Sequence, residues 1–183
     1  NYGCPSSRTR TLIIGVKREF EYIRPCELLP DESSEITLRN AIGYLPALKT
    51  MGELDTNDIY HNYKNYNIRM IPWIENLIEG ESAFENKDIN RIPHSIKEGK
   101  IVFNKNKNAD KYRRQFWNKV APCIHTRNDI LSSQNTIHPT DNRVFSIREL
   151  MIMMSIPCNF KWTELSNEQL YQLTLEEKSK FLK

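Results

Sequence analysis

This sequence shows no long apolar run, no apolar signal-peptide core in its first residues and no cysteine framework. It contains no run of the roughly 18 apolar residues that a membrane-crossing helix needs. Residues 1–10, NYGCPSSRTR, are polar and hold no apolar signal-peptide core. The four cysteines, Cys4, Cys26, Cys123 and Cys158, lie far apart without a CxxC pair. They read as free thiols of a reducing cytoplasm. Cys123 and His125 alternate, but two ligands do not make a zinc site, and no metal is expected. Neither charge sign dominates: 26 basic against 23 acidic residues leave a net charge of +3. Such a balance permits a nucleic-acid partner without arguing for one. Internal repeats and low-complexity tracts are also missing.

The chain does have the material for a core: 183 residues, 39% hydrophobic and 10% aromatic. That suits one ordinary domain, or a small domain with a flanking piece. Its start on Asn1 rather than methionine leads us to expect a piece of something longer. Charge is unevenly distributed. Residues 97–127 carry nine basic side chains, among them Lys105, Lys107, Arg113, Arg114, Lys119 and Arg127, against Glu98 and Asp110 alone. Tyr112, Phe116 and Trp117 are interleaved with them, a mixture suited to phosphate contact and base stacking.

Apolar periodicity gives a coarse map. Residues 11–16, TLIIGV, are apolar and β-branched and predict a buried strand. Leu38, Ala41, Ile42 and Leu45 fall at helical spacing and end at Pro46. Residues 55–67 are loop-like, and residues 68–78 are helical, with Pro72 in the first turn. Residues 100–104, KIVFN, predict a strand, and residues 121–126 another. Three capping boxes, Ser146 with Glu149, Ser166 with Gln169 and Thr174 with Glu177, predict one helix closed by Pro157 and two short ones in the tail.

Two segments carry the chemistry. In NYGCPSSRTRTLIIGV a turn with Gly3 and Pro5 precedes Arg8 and Arg10. Residues two apart on an extended backbone point the same way, so this pattern sets two guanidiniums side by side as a clamp for an anion or base edge. In HPTDNRVFSIRELMIMMSIPCNFKW, Ser146 caps a helix whose first turn holds Arg148 and Glu149.

The first segment resembles the eighth conserved motif of cytosine-5 DNA methyltransferases, matched at Tyr2, Gly3, Pro5, Arg8 and Arg10. It departs at Ser6, where that family usually has Gln. The second is similar to the ninth motif at Arg143, Phe145, Ser146, Arg148, Glu149, Pro157 and Phe160. Between them, LRNAIGYLPAL and YRRQFWNKVAPCIHTRND resemble phrases of many members.

The resemblance implies the target-recognition part of a bacterial restriction-modification enzyme. The expected fold class is α+β: an irregular recognition domain of short strands and helices, plus a remnant strand of the catalytic α/β sheet. Residues 1–22 would end the catalytic domain, 23–137 form the recognition domain, 138–162 join the lobes and 163–183 add helices. In the whole enzyme, as the family implies, a cysteine thiolate adds to C6 of an extruded cytosine, a glutamate assists at N3 and a methyl group moves to C5. Arg8 and Arg10 would line that pocket. Major-groove readout needs Arg, Asn, Gln and Thr side chains. We expect Thr126, Arg127, Asn128 and Gln134 in that role, with Ser133 beside them, and Arg113, Arg114, Arg143 and Arg148 on DNA phosphates or between domains. Gly3, Pro5, Ser146 and Glu149 would be structural.

The expected partners are double-stranded DNA and a catalytic half, on the same polypeptide or a separate subunit. The methyl donor of the full enzyme, S-adenosylmethionine, needs a glycine-rich loop, and the six glycines here are never closer than nine positions. No cofactor is therefore expected on this chain. Pro25-Cys26, Pro122-Cys123 and Pro157-Cys158 all follow the Arg-x-Arg segment, whereas the family's nucleophile precedes it. The chain alone is expected to be inactive. Rival readings are a subunit of a split methyltransferase, a stand-alone DNA-binding module, and a metal-dependent nuclease using Asp129, His138 and Asp141.

Overall fold

A computed structural model of the chain describes residues 2–49, 52, 55, 57–103 and 108–181. Asn104 of the second predicted strand, and Lys105 and Lys107 of the basic stretch, lie outside them. The described architecture is α+β: a small antiparallel sheet and a few short helices, linked by long stretches of ordered but irregular chain.

Helix α1 (Leu38–Ile42) begins at the Thr37 cap, whose hydroxyl accepts from the Asn40 amide. Five residues cannot hold a helix in water. Its stability comes from packing: Leu38 and Ile42, at 0% and 2% exposure, are buried with Ala121, Phe145 and Met153. Burial of such a side chain contributes about 2 kcal/mol. The predicted helix over residues 68–78 shrinks to a 3₁₀ turn (Ile68–Met70) running into α2 (Ile71–Ile74), with Pro72 in the first turn.

Strands β1 (His94–Lys97) and β2 (Lys100–Phe103) form a hairpin in which Ile96 faces Ile101. Its two-residue turn has positive φ at both Glu98 (50°) and Gly99 (74°), the backbone twist that joins strands most tightly. The hairpin is fixed at its base, where the His94 ring meets Trp73 at 5.3 Å and Phe103 at 5.9 Å. Trp73 in turn packs edge-on against Tyr112, as does Phe84.

Helices α3 (Ile147–Met153), α4 (Asn167–Gln172) and α5 (Leu175–Phe181) close the chain. All three predicted capping boxes form: each cap hydroxyl accepts the amide three residues on, and each Glu or Gln side chain accepts the cap amide. Among the described residues three apolar clusters make up the interior, and one segment touches them all. Val144 belongs to the largest, with Trp73, Ile74 and Ile137. Phe145 and Met153 belong to the α1 cluster, and Met151 to a third with Ile59, Tyr60 and Leu170.

Two expectations are corrected. Residues 11–16 form no strand, and Leu12 and Ile13 are 68% and 94% exposed. A strand requires a hydrogen-bonded neighbour, and among the described residues none lies beside this run. Residues 121–126 supply only one bridge, Ser6 to Ala121, because the chain turns away after it.

Candidate functional site

The turn before the two arginines is fastened to the body at several points. Gly3 has φ +78°, and a Cβ there would lie 3.2 Å from the Ser33 hydroxyl. Pro5 is buried; its carbonyl accepts the Ala121 amide at 2.9 Å, and the Ser7 amide donates to the Ala121 carbonyl at 2.8 Å. The Cys4 thiol donates to the Met153 carbonyl at 3.6 Å and accepts from the Ser155 hydroxyl at 3.7 Å. The two sequence motifs, some 140 residues apart, therefore meet. Arg8 and Arg10 leave this turn fully at the surface, with Arg10 Nη1 donating to the Thr9 carbonyl at 2.6 Å.

The second motif builds a buried polar lattice. Arg143 and Glu149, each 1% exposed, form a two-point pair: Nη1 to Oε2 and Nη2 to Oε1, both 2.8 Å. Arg143 Nε donates to Asp141 Oδ2 at 3.0 Å, and Glu149 Oε2 also accepts the Ser146 amide. Burial alone would lift the Glu149 carboxyl, but the hydrogen bond and charge of Arg143 hold it below the usual carboxylate range. Burial likewise works against the Arg143 cation, and its two carboxylates more than offset that.

His138 sits among these charges as a neutral ring. Its Nδ1 accepts the amides of Thr140 (3.3 Å) and Asp141 (2.9 Å), which puts the proton on Nε2. Burial, with Arg143 and Arg114 adding to it, lowers its pKa to about 4 against the pull of Glu149 and Asp141. Its 3.6 Å approach to Asp141 is thus not an ion pair. His61 ties the lattice to the α1 loop: a carbonyl can only accept, so Nε2 donates to Pro46 O at 2.7 Å and Nδ1 accepts from Ser146 Oγ at 2.9 Å.

Several residues expected at DNA lie inside this lattice. Arg114, 3% exposed, spends Nη1 on the carbonyls of His138 and Asp141, and Nη2 on the Ile74 carbonyl and Asn142 Oδ1. Arg143 is spent on Asp141 and Glu149. Burial removes both from direct phosphate contact. Arg148, half-buried, is held by Asp58, with Nη2 to Oδ1 at 3.0 Å, and lies over the Tyr60 ring. Asn128, 7% exposed, accepts the His125 amide and shapes a turn rather than facing solvent. Residue type does not separate a surface arginine from a buried one, so the sequence carried no signal for these partners.

The remaining candidates do gather. Thr126 and Arg127 are exposed on the turn shaped by Asn128. His125 locks it: Nδ1 accepts the Arg127 amide, and Nε2 donates to the carbonyl of Gln134, itself exposed, at 3.0 Å. Half-buried Ser133 precedes Gln134, which bridges to Lys111. Arg113, half-buried, follows on that strand-like segment with Nε on the Ala109 carbonyl. His125 was missed because, in sequence, it read only as a neighbour of Cys123. The nuclease triad does not assemble: Asp129 pairs with Lys64, away from His138 and Asp141. Among the described residues, no three His, Cys, Asp or Glu side chains are placed to hold a metal.

Relatives and a family match accompany this geometry. The chain is 29% identical over 170 residues to the Type II methyltransferase M1.HgaI of Avibacterium volantium, covering 88% of this chain and 44% of that protein. It is 23% identical over 175 residues to the Type II methylase M.HgiDII of Herpetosiphon aurantiacus, with the same 88% and 44% coverage. It therefore spans under half the length of these two relatives. No solved structure matches it significantly. The sequence model of C-5 cytosine-specific DNA methylases matches residues 1–174, nearly the whole chain, and so this chain belongs to the C-5 cytosine-specific DNA methylase family.

Proposed function

We propose that this chain is the target-recognition part of a DNA cytosine-5 methyltransferase, working on double-stranded DNA together with a catalytic half. In this reading residues 1–22 end the catalytic domain, 23–137 recognise DNA, 138–162 join the two, and 163–183 brace the joint. Arg8 and Arg10 support the pocket for the extruded cytosine, and Thr126, Arg127 and Gln134 read base edges from one surface turn. The observation that carries the reading is the docking of the Gly3–Pro5 turn on Ala121 and Met153. It fixes the start of the arginine segment to the lobe that holds the reading turn. Choice of base and support of the flipped base would then be mechanically one unit.

The glycines do not gather into the loop that a methyl donor needs. Gly43 and Gly80 have their open sides filled by the Arg39 carbonyl and the Phe116 ring, Gly3 and Gly52 face Ser33 and Asn65, and Gly15 and Gly99 stand singly in open space. We assign S-adenosylmethionine no residue here and no step on this chain.

The test is binding of the chain to a random duplex library, then a methyl-transfer assay with and without a separately expressed catalytic half from a relative. We expect sequence-selective binding, and methylation only in the mixture. Methylation by the chain alone, or neither selectivity nor rescue in the mixture, overturns the proposal.

A further inference from the structure

We infer that Arg39 and Lys119, presented where α1 meets the segment 116–119, are phosphate contacts through which this chain grips the duplex backbone beside the arginine segment; this rests on the DNA-binding reading above. The segment is a junction. The Leu38 amide donates to the Lys119 carbonyl at 2.8 Å and the Arg39 amide to the Trp117 carbonyl at 2.9 Å. Two residues further along, Ala121 pairs with Pro5 and Ser7, just ahead of Arg8. One hydrogen-bonded run therefore carries Arg39, Lys119 and Arg8 on three separate stretches of chain, and all three side chains are exposed.

Both cations are held over aromatic rings. Arg39 lies 5.3 Å from the Trp117 ring centre, and its Nε donates to Asn118 Oδ1 at 3.0 Å. The Trp117 ring is itself anchored, with Nε1 donating to Thr140 Oγ1 at 2.8 Å. Lys119 Nζ sits 3.9 Å from the centre of Phe116, whose ring fills the space left by the missing side chain of Gly80. A ring face attracts a cation without bringing a countercharge to it. Neither Arg39 nor Lys119 makes an ion pair among the described residues, whereas Lys64, Arg91, Arg143 and Arg148 all do. A carboxylate near this segment, Glu79, accepts the Trp117 amide at 3.1 Å. Ordered, unpaired cations beside the Arg8 segment match the chemistry of a polyanion, and duplex DNA is the polyanion this family acts on.

Phosphate contacts strengthen binding without regard to sequence and steepen its salt dependence by about 0.9 per contact. The experiment measures the affinity of the chain for a short random-sequence duplex across a series of salt concentrations. The pair Arg39→Gln with Lys119→Gln should flatten the slope of log K on log salt by about 1.8 and weaken all sequences alike. Arg39→Lys with Lys119→Arg should restore it, and Lys180→Gln, an exposed lysine in α5, should leave it unchanged. Should circular dichroism show the double variant unfolded, Lys119→Gln alone must flatten the slope by about 0.9. An unchanged slope in folded variants overturns this inference and leaves the function proposed above intact. Absence of any duplex binding by the wild-type chain overturns this inference, and together with no methylation in the mixture it overturns the function proposed above.

Discussion

Arg143 and Glu149 meet side by side at two points in the interior, six residues apart and each 1% exposed. A buried pair of this kind is costly to break, because the remaining charge is stranded without water. We expect Glu149→Ala to destabilise the chain by about 3–5 kcal/mol. Replacing both partners by Met and Leu should cost clearly less than the single change. Urea unfolding of the single and double variants checks this, and a double variant no more stable than Glu149→Ala would contradict it.

Acid should weaken the fold through His138. Its pKa is 6.5 when unfolded and about 4 when folded, so between those values the unfolded chain takes up a proton that the folded one refuses. Stability falls as pH drops through that window, by about 3 kcal/mol in all, and above it this residue contributes no pH dependence. Glu149 acts in the same sense lower down, since its depressed carboxyl loses its stabilising effect as pH falls below the ordinary carboxylate value. His138→Asn, which keeps an acceptor near Nδ1, should flatten the curve between about pH 4 and 6.5. An unchanged curve would show that the proton goes elsewhere.

Gly80→Ala should destabilise the chain by about 1–3 kcal/mol. The position has φ +86°, and an added Cβ would collide with the Phe116 ring. Thermal melting gives the loss, and the altered ring should appear in near-ultraviolet circular dichroism. A neutral result would mean that the turn and ring yield together.

Arg127 and Gln134 should behave differently from Asn128. Loss of a base-reading side chain relaxes discrimination at one position by about 1–3 kcal/mol with little change in overall stability. We expect this for Arg127→Ala or Gln134→Ala in selection from a random duplex library. Asn128→Ala should instead lower stability by about 1–3 kcal/mol, since it removes the acceptor of the His125 amide inside the turn. Equal loss of affinity for every sequence in the first two variants would rule out base reading by them.

Features governed by neighbours in sequence were legible. The capping boxes at Ser146, Ser166 and Thr174 depend on residues three apart and formed as read. The α1 spacing and β2 depend on apolar period and also held. Strand β1, HSIK, escaped because it has one apolar residue and a Glu-Gly turn rather than an Asn-Gly signal. Residues 55–67 looked like a polar loop, yet Ile59, Tyr60, His61 and Tyr63 are buried. Backbone amides from the α3 start bond to the Asn62 and Tyr60 carbonyls, a long-range pairing with no local mark. The same limit hid the fate of Arg114 and Arg143. Partner choice, not residue type, took them inside.

The docking of the Gly3–Pro5 turn bears on how the chain acquires its shape during synthesis. The turn leaves the ribosome before its partners, Ala121 and Met153, which emerge more than a hundred residues later. Until then Pro5 lacks the partners it has in the folded chain. Closing so long a loop is slow relative to forming local helices. The contact that aims Arg8 and Arg10 therefore waits on distant residues, and a nascent chain stopped before Ala121 carries both arginines on an untethered arm.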